Sequence, residues 1–207
     1  MAQIKRMGYG QVELNFVSAG RIGGVYSSRP YKGDKKILEQ GMFLKYDPVE
    51  NTCNTTGEGE WYMVYNEEEH YDEREMNHKD YAMKKSDFID GEMYPRLLKI
   101  STGDIFTTNT FGAYDAGYAE ATYPGNYDNV KNANTTLNMA KVTTVTGVKG
   151  GNAGIDLNQG DKVKVGNDGY LAKTDDAEAA SESPVFVVSK VYCMADGQPA
   201  VKLQRIK

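Results

Sequence analysis

Acid–base or metal chemistry in this 207-residue chain has two histidines to work with, His70 and His78, and both lie in one acidic stretch. Glu67-x-x-His70 and Glu75-x-x-His78 set a carboxylate three residues before an imidazole. On a helix that spacing puts both groups on one face, as carboxylate-bridged di-iron sites use it. Those sites also draw glutamates from the facing helices of a bundle, which a chain this rich in β-forming residues does not offer. No Asp-x-Asp-x-Asp-Gly loop is present to hold calcium. Between Glu58 and Asp80 nine acids stand against Arg74 and Lys79, while the rest of the chain has 22 basic and 20 acidic residues. The net charge of −5 is therefore a local property. The stretch is expected to be a solvated acidic surface, as a short helix or a loop, holding no metal and no cofactor.

Nucleophilic chemistry has less support. A Ser-His-Asp or Cys-His arrangement would have to use one of the two histidines, and neither Gly-x-Ser-x-Gly nor His-Glu-x-x-His occurs. Carboxylate pairs for glycoside cleavage stay open, because their separation is a three-dimensional property. Cys53 and Cys193 are too few for a disulfide framework or a four-thiolate zinc site within one chain. Gly20, Gly23 and Gly24 surround Arg21, yet no Gly-Lys-Ser/Thr and no following helix complete a phosphate cradle. The chain is expected not to be an enzyme.

Binding chemistry is better represented. Tyr114, Tyr118, Tyr123 and Tyr127 punctuate a Gly-, Ala- and Asn-rich segment, and Trp61 is the single tryptophan. Aromatic faces of this kind stack on sugars or pack between subunits. Lys5, Arg6 and Arg21 make the first 28 residues basic, which suits a contact arm. A net negative chain lacks the overall positive field of nonspecific nucleic-acid binding, so no nucleic-acid partner is expected. No segment approaches a membrane span and the N-terminus lacks an apolar signal region, so no membrane partner is expected and synthesis is placed in a cytoplasm.

The elements that must position these residues are short strands. Twenty-two glycines and fifteen tyrosines point to turn-dense β structure. Alternation in Gln11-Val-Glu-Leu-Asn-Phe-Val17 predicts a strand that pairs with something already folded. Further strands are expected at 42–47, 60–65, 94–100, 104–111, 161–165, 184–192 and 198–206, with an Asn167-Asp-Gly169 turn leading from 161–165 into a returning strand at Tyr170-Leu171, and residues 139–148 are rich in Val and Thr. Pro124-Gly-Asn126 breaks the four-, five- and four-residue spacing of the tyrosines, so residues 112–138 are expected as a loop or linker. The expected organisation is an extended arm over 1–28, a β-rich domain over 29–111, the Tyr-rich linker, and a C-terminal β-barrel-like module over 139–207. The fold class is mainly β, as small barrel or sandwich modules with long loops and little helix.

Leu38-x-Gln40-Gly41 is repeated as Leu157-x-Gln159-Gly160, and Lys45 as Lys164, at a constant offset of 119. The match is short enough for duplication of a turn-plus-strand module or for coincidence. Either way, glycine after Leu-x-Gln opens a turn conformation closed to other residues, and the alternation that follows launches a half-buried strand.

The run Leu157-Asn-Gln-Gly-Asp161-Lys-Val-Lys-Val165-Gly-Asn-Asp-Gly169-Tyr-Leu171, the acidic loop after it, Pro184-Val-Phe-Val-Val188 and Pro199-Ala-Val-Lys-Leu203 resemble the small β-barrel modules of tailed-bacteriophage capsid decoration proteins. The resemblance covers about the last seventy residues. The segment from Tyr71 to Asn109 is similar, less specifically, to other phage virion proteins. The resemblance implies a non-enzymatic virion component bound to the capsid exterior, with the major capsid protein as partner and a homo-oligomer, trimeric by the family's habit. The chain is larger than the simplest decoration modules, which leaves room for a carbohydrate- or host-surface-binding role such as that of a head fibre. In this reading Lys5, Arg6 and Arg21 anchor the arm, and Trp61 with the four loop tyrosines makes surface, glycan or subunit contacts.

Overall fold

The computed structural model describes residues 3–5, 10–26, 29–66, 82–111, 120–122, 144–150, 153–174, 183–193 and 199–207. In chain order the strands are β1 Gln3–Lys5, β2 Val12–Phe16, β3 Val25–Tyr26, β4 Ile37–Glu39, β5 Phe43–Asp47, β6 Thr52–Asn54, β7 Glu60–Val64, β8 Ala82–Lys84, β9 Leu97–Leu98, β10 Ile105–Thr108, β11 Glu120–Thr122, β12 Thr144–Gly150, β13 Ala153–Asn158, β14 Lys162–Val165, β15 Leu171–Thr174, β16 Val185–Cys193 and β17 Pro199–Arg205. Strand dominates the described residues and helix is nearly absent from them, so the mainly β class expected from composition is the class observed. The helical piece among the described residues is a single 3-10 turn, Lys85–Asp87.

Two antiparallel sheets form the body. One runs β3-β9-β7-β5-β6, the other β2-β10-β17-β16-β14-β15. Without β2, the second has the strand order of the first, with β10, β14, β15, β16 and β17 standing for β3, β5, β6, β7 and β9. The repeated Leu-x-Gln-Gly runs open the corresponding strands β5 and β14. Their backbones agree in detail. Gly41 and Gly160 have φ of 81° and 91°, the region where glycine avoids the penalty other residues carry. The amide of Met42 donates to the Glu39 carbonyl at 3.3 Å, and that of Asp161 to Asn158 at 3.1 Å. Gly41 donates to the Val64 carbonyl at 2.9 Å and Gly160 to Val188 at 2.8 Å, and each valine amide returns a bond to Met42 or Asp161. The short echo in the sequence therefore marks one end of a module present twice.

Packing distinguishes the copies. Leu44 stands opposite Tyr62 and, in the second copy, Val163 opposite Phe186. The first pair joins a core with Leu38, Val64 and Leu97, and the second joins a larger core with Val165, Val188 and Leu203. Phe43, Trp61 and Met63, on the other face of the first sheet, enter that larger core too. Phe43 and Phe106 each pack against Phe186, with centroids 5.6 and 5.4 Å away. The central strand β7 is thus buried on both faces, which explains the unbroken apolar run Trp61-Tyr-Met-Val64. The second sheet leaves one face open, so β14 alternates Lys162, Val163, Lys164, Val165 with the valines buried.

The arm expected over 1–28 contributes three strands that pair within the chain, β3 with β9 in the first sheet. β1 pairs with β11, which lies inside the segment expected as a linker. β2 adds to the outer side of β10, with Asn15 as the extra residue of a bulge.

Candidate functional site

The chain-reversing loop after β2 presents Arg21. Its base is a buried carboxylate: Asp104 accepts hydrogen bonds from the Ser18 amide and hydroxyl, both at 3.1 Å, and from the Ser101 amide at 2.8 Å. The Ser18 carbonyl accepts the amides of Arg21 at 2.8 Å and Ile22 at 3.3 Å, and Ala19 accepts that of Gly24 at 2.9 Å. Gly23 completes the reversal at φ 69°. A Cβ on Gly24 would come within 2.8 Å of the Lys99 Cβ, so close approach to β9 also favours glycine there. The loop is held by specific bonds, and Arg21 stands on it exposed.

Between this loop, β2 and the edge of the first sheet lies a groove of about 390 Å³, lined by Leu14, Phe16, Val25, Leu98, Arg21 and Arg96 among others. Leu14 and Phe16, which line it, are 39% and 57% exposed. Apolar side chains left at that exposure beside a concave surface characterise binding sites more than free surface. Arg96 is set by its backbone: its amide donates to the Asn66 Oδ1 at 2.9 Å, and the Asn66 amide donates to the Gln40 Oε1 at 2.8 Å. Apolar walls with two guanidinium-bearing residues suit an extended peptide carrying carboxylates.

A second arrangement occupies the opposite face of the first sheet. β3 directs Val25 to the groove and Tyr26 to a cluster with Tyr46 and Tyr62, at centroid separations of 4.7 and 5.3 Å from Tyr26. The Arg29 guanidinium lies 5.5 Å from the Tyr26 ring centre and 5.6 Å from that of Tyr46, within cation–π range. Burial, and then the neighbouring Tyr26, raise the Tyr62 hydroxyl above the ordinary tyrosine range. Tyr26 and Tyr46 stay half-buried, so their rings are partly open to a ligand.

Among the residues expected to act, Arg21 is placed at the groove. Trp61 is corrected: it is 6% exposed, belongs to the larger core and carries the Lys45 ammonium 5.3 Å from its ring centre. It is a packing residue, not a surface stacking platform. Lys5 lies on β1 in register with Glu120. Arg6, Glu67, His70, Glu75, His78, Tyr114, Tyr118, Tyr123 and Tyr127 lie outside the described residues. Among the described residues no group of three or more His, Cys, Asp or Glu side chains could hold a metal ion, and no helix is long and apolar enough to cross a membrane. The Cys53 thiol is pushed up to about 12 by burial, which removes the thiolate that reactivity needs. The Tyr26-Tyr46-Tyr62-Arg29 cluster was missed in sequence because its three tyrosines sit on three separate strands, β3, β5 and β7.

Comparisons with protein-family models, with curated proteins and with solved structures gave no match.

Proposed function

We propose that the chain is a non-enzymatic virion structural protein that binds the outer face of an assembled phage capsid, with the major capsid protein as partner. The observation that carries this reading is the groove beside β2, lined by exposed Leu14 and Phe16 together with Arg21, which stands on a loop anchored by Asp104. A shell protein acts through many copies of one modest contact, because multiplicity on a symmetric lattice turns weak single-site affinity into stable attachment. Such a contact gains from a preformed loop, since little ordering entropy is then lost on binding. The likeness of residues 157–203 to decoration modules supports the same assignment, and a homo-oligomer on the capsid exterior follows from it.

Cosedimentation with purified, assembled shells tests the reading. The wild-type chain pellets with shells, and Phe16→Ser combined with Arg21→Glu reduces the bound fraction at least tenfold while the fold is retained. Equal binding by the double variant overturns the groove as anchor, and no binding by the wild-type chain overturns the shell role.

A carbohydrate-binding role is favoured by one specific observation, the half-buried Tyr26 and Tyr46 beside Arg29. Glycan-array binding that is lost in Tyr26→Ala and kept in Phe16→Ser would establish that role instead.

A further inference from the structure

Arg29 stands on a segment that the fold holds from two sides. Its amide donates to the Pro95 carbonyl at 3.4 Å, and that of Tyr31 to the Met93 carbonyl at 2.8 Å. Along the other side runs β6, where the Cys53 amide donates to the Pro30 carbonyl and the Lys32 amide to the Cys53 carbonyl, both at 2.9 Å, with Tyr31 and Cys53 bridged in parallel. The backbone of residues 29–31 is therefore fixed, and with it the place from which the guanidinium reaches the Tyr26 and Tyr46 rings. Tyr46 is oriented in turn. Its hydroxyl donates to the Asn51 Oδ1 at 2.8 Å, and Asn51 holds a φ of 56°, which asparagine tolerates better than most residues.

What the guanidinium lacks is an acceptor. Its Nε is buried without a hydrogen-bond partner, and among the described residues its side-chain contacts are the two rings, with no carboxylate or carbonyl bonded to it. Basic side chains elsewhere are supplied with oxygens. Lys32 has Glu92 at 2.7 Å, Lys99 has Glu60 at 2.6 Å and Lys173 has Asp161 at 2.8 Å. Arg205, also partly buried, gives its Nε to the Lys207 carbonyl at 2.8 Å and its Nη1 to the Ile100 carbonyl. Where an arginine serves the fold, then, the chain meets its donors; at Arg29 it offers π faces alone. Such faces favour the cation, but they do not take the N–H groups that point out along the guanidinium plane. A planar fork held in place with those donors unmet is the geometry that receives a carboxylate through two parallel hydrogen bonds.

We propose that this cluster binds a carboxylated sugar, a uronic acid residue of a glycan, with its carboxylate on the Arg29 guanidinium and its ring against the partly open Tyr26 and Tyr46. The inference rests on the carbohydrate reading of the cluster and adds to it the chemical class of the glycan; no residue of the groove takes part. Packing of a sugar on an aromatic ring discriminates little by itself. The charge-assisted pair supplies the selection, because a neutral sugar leaves the guanidinium donors as unmet as they are in the empty site.

Calorimetric titration of the full chain with oligogalacturonate, with its methyl-esterified form and with a poly-glutamate peptide tests the proposal. Esterification keeps the sugar rings and removes the charge. The acid form is expected to bind at least tenfold more tightly than the ester, with affinity falling as salt is raised, and the peptide to bind no better than the ester. Arg29→Gln abolishes the difference between acid and ester, Arg29→Lys restores it only in part because an ammonium lacks the planar fork, and Arg21→Gln leaves it unchanged. Unfolding midpoints of each variant separate loss of the site from loss of the fold. Equal binding of acid and ester, both weakened by Tyr26→Ala, overturns the carboxylate assignment and leaves the carbohydrate reading standing. If neither form binds, the assignment falls, and neutral glycans on the array decide the carbohydrate reading by themselves. The assignment is overturned too if Arg29→Gln keeps the preference for the acid, if Arg21→Gln removes it, or if the peptide binds as tightly as the oligogalacturonate.

Discussion

The Tyr170 hydroxyl donates to the Glu39 Oε1 at 2.8 Å, joining the hairpin between β14 and β15 to the turn that opens β5. The second carboxylate oxygen accepts the Gly10 amide at 2.7 Å, and Glu39 is 1% exposed. A buried carboxylate is tolerated when its lone pairs are used in this way. The same hairpin delivers the Gly169 carbonyl to the Phe43 amide at 2.7 Å. The two copies of the module are therefore tied by polar bonds at the same place where their phenylalanines meet.

Tyr170→Phe removes one donor to Glu39 while keeping the ring. Loss of a bond to a buried charged group is expected to destabilise the fold by about 1–3 kcal/mol. The shift in urea midpoint at unchanged slope measures it, and a change within about 0.5 kcal/mol, the range of neutral surface substitutions, would show that Tyr170 is not a tie between the copies.

Gly41→Ala and Gly160→Ala separate backbone strain from crowding. Both glycines hold positive φ, so each alanine costs about 1–2 kcal/mol. A Cβ at Gly160 meets nothing within 4 Å, whereas one at Gly41 lies 2.8 Å from the Thr110 Oγ1 and the Val12 Cγ2. Gly41→Ala is therefore expected to be the more damaging, as read from paired thermal melts; equal shifts would contradict the tight packing at Gly41.

Asp161 supplies a pH dependence. Burial pushes its carboxyl upward, but the Lys173 ammonium at 2.8 Å and the Asn158 amide outweigh this and hold it below the ordinary aspartate range. A folded-state value below the unfolded one contributes stability that is fully present above the unfolded value, near pH ~4. It is lost as pH falls through the folded value. Lys173→Gln is expected to flatten that part of the stability profile below pH ~4, and an unchanged acid limb would remove Lys173 from the account.

Cys53 is expected to resist alkylation in the folded chain. Its thiol is buried and pushed up to about 12. Peptide mass spectrometry after iodoacetamide treatment at mildly alkaline pH should find Cys53 unmodified until denaturant is added; rapid native labelling would show that the smaller core opens there.

Legibility in the sequence followed interaction range. The turn glycines Gly41, Gly160 and Gly169 were readable because one φ angle decides them. The alternation of β14 was readable because one of its faces meets solvent. Trp61 was misread because an unbroken apolar strand does not say that a second sheet covers it. The groove was half readable: Arg21 stood out by its glycines, but Leu14 and Phe16 looked like an ordinary alternating strand until their exposure was known.

By itself, the sequence determined the mainly β class, the places where the chain turns and the first trace of duplication, all of which rest on local backbone sterics and on period-two burial. Tertiary structure alone decided which strands pair. It also decided that β2 adds to the outer edge of the second sheet of its own chain, that Trp61 belongs to the core, and that Tyr170 reaches Glu39. The physical reason is that a strand's pattern specifies which of its faces is buried but not its partner. The partner is selected by the packing of side chains such as Phe43 and Phe186, brought together from distant parts of the chain.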